Sequence, residues 1–336
     1  MKKSIKAASL LLAGSLLLSG CGSDEATGGN SKNGDKKIYQ IGLTQFAEHP
    51  SLDAATEGFK KALEEAGFKE GDNVEYDFQN AQADMNNNTQ TIANNFAGDQ
   101  VDLIFANATP SAVSALNATK DIPIVFTSVT DPVGAGLVKS FDEPGDNITG
   151  TTDNHPDATG KTIDFMTKEA GARKIGVIFN AGEQNSEVQV EKVKELAEKN
   201  GAEVVEASVS TSAEVKQAAE SLVGRADAIY VPTDNTVVSA LESVIAVAQS
   251  KKIPLFVGEL DSLKRGGVAA SGFDYFEIGY QTGKMAADIL KGDKKPSEIP
   301  VGLPENIKLV FNPKAAEEQG LEIKEEWKDL AEFYEE

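Results

Sequence analysis

Two segments, DLIFANATPSAVSAL (102–116) and DAIYVPTDNTVVSAL (227–241), run in register from Asp102 on Asp227 to a shared VSAL. The register sets Thr109 opposite Asp234, each just after an apolar run and just before a helical one. A hydroxyl beside a helix N-terminus suits a carboxylate. A carboxylate suits an ammonium through a charge-assisted hydrogen bond. The pair is chemistry for gripping a zwitterion, with Thr109 on its carboxylate and Asp234, beside Asn235, on its ammonium. Thr and Asp serve equally as helix N-caps, and the residues alone leave both readings open.

A second matched pair of loops adds donors and acceptors. In AEHPSLD (47–53) and AGEQNSEVQ (181–189), His49 falls on Glu183 and Ser51 on Asn185. Glu183, Asn185 and Ser186 precede a helical run and are ligand candidates; the alternative is a capping segment with Ser186 as the cap. His49 by itself, one histidine on a loop, is weak evidence. A third polar loop, TSVTDP (127–132), offers Thr127 and Ser128 to the same carboxylate.

The residues offer little to an enzyme. His49 and His155 are the two histidines and have no metal-ligand spacing. No GxGxxG or GxxxxGK[ST] loop occurs, and nothing marks a nucleophile elbow. No catalytic residue, metal or cofactor is therefore assigned. The balance of 32 basic against 53 acidic residues, −21 overall, excludes nucleic acid, which needs a basic surface. It also speaks against adsorption to anionic lipid.

The elements that must position these loops alternate. IYQIGLTQF (38–46), VEYDFQNA (74–81), DLIFANA (102–108) and IPIVFTSV (122–129) read as strands, with helical runs between them at 52–67, around 89–96 and at 110–120. The series restarts with KIGVIFN (174–180) and continues through EVVEASV (203–209), DAIYVPT (227–233) and IPLFVGE (253–259), again separated by helical runs. Gly42 to Gly67 and Gly176 to Gly201 repeat the same spacing. Such βαβα series make parallel sheets with helices on both faces. The fold class expected is α/β, with two similar doubly wound lobes. Ligands of open parallel sheets sit beyond the carboxyl ends of the strands, so the matched loops belong in one cleft.

The start of the chain has its own logic. MKKSIK is basic, AASLLLAGSLLLSG is apolar but too short to span a bilayer comfortably, and Leu18-Ser19-Gly20-Cys21 resembles the bacterial lipoprotein box. Cleavage before Cys21, the single cysteine, leaves its thiol for diacylation; the alternative is a plain secretory signal. GSDEATGGNSKNGDKK (22–37) is a polar tether with a reach of about 20 Å. The expectation is a signal peptide over 1–20, a lipidated tether over 21–37, and an extracytoplasmic body anchored to the membrane by lipid.

The motifs IGLTQFAEHPSLDAATEGFKKAL, FANATPSA, IPIVFTSVTDPVGAGLV, NITGTTD, FNAGEQNSEVQ, YVPTDNTVVSAL, IPLFVGE and DYFEIGYQTGKMAADILKG occur in order from about 38 to about 325. Together they resemble the substrate-binding lipoproteins of ABC transporters, in the tryptophan/tyrosine branch. The resemblance implies a type I periplasmic-binding fold that closes on L-tryptophan, L-tyrosine or L-phenylalanine and delivers it to a membrane permease, working as a monomer. Other solutes (a sugar, nucleoside or amide) and a sensor role at a membrane receptor are the alternatives. It implies a three-segment hinge, placed near 147–154, 271–275 and 309–313, with Gly150 and Gly272 as pivots. Lobe 1 is then 38–150 plus 275–305, and lobe 2 is 151–274 plus 306–336. Asp274 at a crossing is a ligand candidate or an ion-pair partner. Phe46 is the candidate aromatic wall. Trp327, Leu330, Ala331 and Tyr334 form a helical stripe in the tail that suits packing.

Overall fold

The computed structural model describes residues 37–85 and 88–335. The signal segment, Cys21 and the tether up to residue 36 lie outside the described residues. The first lobe runs β1 (Tyr39–Gln45), α1 (Pro50–Glu65), β2 (Val74–Asn80), α2 (Asn88–Asp99), β3 (Leu103–Asn107), α3 (Thr109–Ala118), β4 (Ile124–Val129) and β5 (Ile148–Thr152). Its sheet is parallel throughout, in the order β2-β1-β3-β4-β5. Strands buried on both faces need apolar runs, which is what LIFA of β3 and IVF of β4 supply.

The second lobe begins with α4 (Ala158–Asp164). It continues through β6 (Lys174–Asn180), α5 (Gln184–Lys199), β7 (Glu203–Val209), α6 (Val215–Leu222), β8 (Ala228–Val231), α7 (Asn235–Ser239), α8 (Leu241–Lys251), β9 (Leu255–Val257) and α9 (Leu260–Arg265). Its parallel sheet has the order β7-β6-β8-β9, so the first four strands of each lobe share one topology. The equivalence extends to detail. Asp102 accepts from the Gln40 N–H and Asp227 from the Lys174 N–H, each at 2.9 Å, tying the starts of neighbouring strands. Gly42 of β1 lies under the Phe96 ring and Gly176 of β6 under Leu222; a Cβ would come within 2.6 and 2.7 Å of them.

After β10 (Ala269–Gly272) the chain forms α10 (Tyr275–Lys291), β11 (Lys308–Phe311), α11 (Pro313–Glu318) and β12 (Glu332–Phe333); β10, β11 and β12 make a small sheet. The helix α10 returns to pack on α1 of the first lobe. The two helices approach so closely that a Cβ on Gly279 would lie 1.9 Å from the Ala55 carbonyl, and one on Gly58 would lie 2.1 Å from that of Phe276. The buried stripe of α1 (Leu52, Ala55, Phe59, Ala62, Leu63) follows the helical period, and Phe59 stacks on Phe105 of β3 at 4.0 Å.

The tail differs from the expected helical stripe. Residues Glu325–Asp329 make a 3-10 turn and β12 then pairs with β11, the Tyr334 N–H donating to the Phe311 carbonyl at 2.8 Å. An edge strand with unpaired backbone groups offered that short apolar segment a better partner than an isolated helix could. Trp327 is fully buried against Phe165 and Phe311, whereas Leu330 is 51% exposed.

Candidate functional site

The carboxyl ends of both sheets and the crossing segments enclose a cavity lined by His49, Leu52, Ser128, Asp153, Asn185, Thr233, Asp234, Asn235, Val238, Glu259 and Tyr275. Its volume is about 10 Å³, room for about one water, so the lobes stand shut. The closure has direct bonds across it: Ser51 of α1 donates to Glu259, and the Gln184 amide donates to Asp131 at 3.3 Å.

The first lobe presents uncommitted groups here. Thr109 opens α3; Ala108, at its N-cap, has φ +82°, and Ser128 at the end of β4 has φ +56°. Neither is glycine, and strained backbone of this kind concentrates at ligand sites. The Thr109 and Ser128 hydroxyls are buried with no hydrogen-bond partner, a costly state for a buried polar group unless something else completes it. His49 sits at the N-cap of α1, yet its ring caps nothing: both ring nitrogens are unpartnered and the residue is 7% exposed. Burial pulls its pKa down to about 3, outweighing the neighbouring Asn235 side chain, which favours the proton but lies outside hydrogen-bond geometry.

The second lobe meets these with carboxylates that are already engaged. Asp234 caps α7 by accepting from the Val237 N–H at 2.7 Å, and its other oxygen accepts from the Asn180 N–H at 2.5 Å and the Ser186 hydroxyl at 2.7 Å. Glu183, the N-cap of α5, reaches over to the start of α7, accepting from the Thr236 N–H and hydroxyl and from the Asn235 side chain. Helix N-termini favour such anions. Burial, then the neighbouring Glu183 charge, pushes Asp234 up to about 7. Glu259 accepts from Ser262 and Ser51 and is likewise raised to about 7 by burial.

A third contribution comes from the crossings. Asp153, just after β5, is buried, accepts from Thr130 and from the Tyr275 hydroxyl, each at 2.9 Å, and has its pKa raised by burial. Tyr275 opens α10, and its ring stacks on Phe273 at 5.4 Å.

The structure thus brings His49, Ser128, Asn185, Asp234 and Asn235 to one cavity, with Thr109 at the adjoining strand end. It places other candidates elsewhere. Phe46 is fully buried in the first lobe's apolar core, because the strand's alternation turns it inward. Thr127 bonds Thr151 at 3.0 Å inside the lobe. Asp274 is exposed, caps α10 through the Phe276 N–H, and lines an outer groove. Ser186 is spent on Asp234 and is not the α5 cap. Gly150 lies in β5, where a Cβ would meet the Phe126 carbonyl at 2.0 Å, and Gly272 ends β10. Sequence reasoning missed Asp153, Tyr275 and Glu259. The last was reachable: aligning the two Ile-Pro strands sets Glu259 on Ser128. Among the described residues no cluster of metal ligands occurs, and no helix is long and apolar enough to cross a membrane.

Comparison with known proteins agrees with this architecture. The family model described as ABC transporter substrate binding protein matches residues 40–333. A relative from Clostridioides difficile, named a tyrosine-binding protein, is 48% identical over 93% of this chain and 91% of its own. Among solved structures, an ABC domain from Streptococcus pneumonia in complex with L-Trp superposes with TM-score 0.82 at 34% identity, covering 88% of this chain and 99% of its own. The ligand-free, open form of a substrate-binding protein with adhesive properties from Clostridium difficile reaches only 0.64 at 45% identity, over 89% and 99%. Identity and superposition rank the two oppositely, so lobe placement, not divergence, sets the difference, and this chain stands nearer the ligand-bound arrangement. Both clostridial relatives are described as binding proteins. The chain belongs to the ABC transporter substrate-binding protein family.

Proposed function

We propose that this is the extracytoplasmic binding lipoprotein of an ABC importer, anchored through Cys21. It captures an aromatic amino acid, tyrosine or tryptophan, between its lobes and hands it to a membrane permease. The observation that carries the reading is the enclosed polar cavity. Unpartnered hydroxyls of Thr109 and Ser128 stand at the ends of β3 and β4, and the buried carboxyl of Asp153 lies beyond them. Hydroxyls at a helix start suit the ligand's carboxylate. Asp153, with two acceptor bonds used of about four available, takes the ammonium. That role passes from Asp234, whose oxygens already accept three bonds, from the Val237 and Asn180 N–H groups and the Ser186 hydroxyl. Tyr275, backed by Phe273, is the aromatic surface nearest these poles. Opening turns on the crossing segments at 147–154, 271–275 and 309–313, with Gly150 and Gly272 at two of them. The ligands named for the two relatives, and the nearness to a ligand-bound arrangement, support the same conclusion.

Isothermal titration of the purified monomeric chain, freed of carried-over ligand by unfolding and refolding, tests the reading. One-to-one binding of tyrosine, tryptophan or phenylalanine, with none of ribose or leucine, is expected. Binding of a sugar in their place overturns the ligand class. Labelling with a radioactive fatty acid should be lost in Cys21→Ala; retained label would refute the anchor.

A further inference from the structure

The main-chain poles of an amino acid account for Thr109, Ser128 and Asp153, but not for His49. His49 follows β1, which is two strands away from β4 in the sheet order β2-β1-β3-β4-β5. At a spacing of about 4.8 Å per strand the two strands stand about 10 Å apart, comparable with the reach from an aromatic amino acid's carboxylate to the far edge of its ring. The second lobe brings Asn185 to the same cavity, and its side-chain oxygen is also buried without a partner. Its amide is occupied by Glu183 and the Thr233 carbonyl, so the oxygen is what remains. Arg265 is turned to Glu242 and the Val238 carbonyl, and the Asn235 side chain beside the ring makes no hydrogen bond to either of its nitrogens.

We infer that His49, with the Asn185 oxygen from the opposite lobe, reads a hydrogen-bonding group on the ligand's ring and selects tyrosine over phenylalanine. The inference rests on the aromatic amino acid reading of the site. An imidazole held neutral offers one N–H donor and one acceptor nitrogen. A phenol is its complement: it accepts from the imidazole N–H and donates to the Asn185 oxygen. An indole N–H satisfies one of these acceptors. Phenylalanine satisfies none and leaves two buried polar groups unpaired in the closed protein, the situation in which binding sites discriminate most sharply.

The test is calorimetric titration of the full chain with tyrosine, tryptophan and phenylalanine, for the wild type and for His49→Phe, His49→Gln and Asn185→Leu. Tyrosine should bind the wild type about 10- to 100-fold tighter than phenylalanine. In His49→Phe that ratio should collapse to within about threefold, mainly through loss of tyrosine affinity, and His49→Gln, which keeps a donor and an acceptor, should restore part of it. A ratio that survives His49→Phe overturns the inference. So does equal wild-type affinity for tyrosine and phenylalanine, which leaves the functional reading standing and needs no variant to fold. Failure of all three amino acids to bind the wild type overturns the functional reading, and this inference with it.

Discussion

Three positions near the cavity match between the two copies of the repeat: His49 with Glu183, Thr109 with Asp234, and Ser128 with Glu259. The backbones are equivalent and the chemistry is opposite. The first lobe has three neutral side chains whose polar atoms are buried without partners. The second has three carboxylates, each accepting from neighbouring hydroxyl, amide or backbone donors. One fold copied twice has separated two tasks. The first lobe holds unfilled hydrogen-bonding capacity for a guest, and the second uses its acids to fasten its own helix starts and, through Glu259, to hold Ser51 of the first lobe.

The sharpest way to break that contrast is Asp234→Ala. It strips the α7 cap and leaves the Asn180 N–H and Ser186 unpaired, so it should cost about 3–5 kcal/mol of stability in urea unfolding. Loss of ligand affinity alone, with stability intact, would put Asp234 back among the ligand contacts. The mirror experiment is Asp153→Asn. It should weaken amino acid binding by about 2–4 kcal/mol and leave the melting temperature of the ligand-free protein unchanged or raised, since a buried acid is removed.

Glu259→Gln tests the second lobe's acids through pH. An acid raised from 4.5 to about 7 on folding binds its proton more tightly in the folded protein, so its contribution to stability falls as pH rises through that interval. Glu259→Gln should therefore stabilise the protein at pH 8, by up to about 3 kcal/mol, and have little effect at pH 4; melting curves at the two values read this. His49, lowered from 6.5 to about 3, acts in the other sense, and its contribution is lost as pH falls below 6.5. The smallest effects belong to the first lobe's hydroxyls. Thr109→Val and Ser128→Ala should each cost about 1 kcal/mol of affinity without lowering stability, because no bond within the protein is broken. A drop in melting temperature would show that these hydroxyls are structural.

Much of this was legible in the residues. The register from Asp102 and Asp227 carried both the duplication of the lobes and the pairing of Thr109 with Asp234, because equal loops on equal strands must end at equivalent places. What the register could not say is which member of a pair is satisfied, since that depends on neighbours such as Ser186 and Asn180 that converge only in space. Asp153 and Tyr275 were missed for a different reason. They lie where the chain leaves the repeat, so no counterpart marks them. Phe46 misled because a strand's last apolar residue points to core or cleft according to a one-residue alternation, and the tail misled because β12 adds to β11, a partner more than 20 residues away that only the fold brings beside it.

The close seam between α1 and α10 has a further consequence. The contacts of Ala55 with Gly279 and of Phe59 with Gly283 run in step, so the helices are parallel and both begin at the cleft, one behind His49 and Ser51, the other at Tyr275. Two residues that line the cavity are thereby mounted on a single stiff strut, with their separation set a turn or more away from either. A lineage can exchange the residues at the tips and change what is recognised while the gauge between them stays fixed. A methyl group added in the seam would do the reverse, altering the fit for every ligand while touching none.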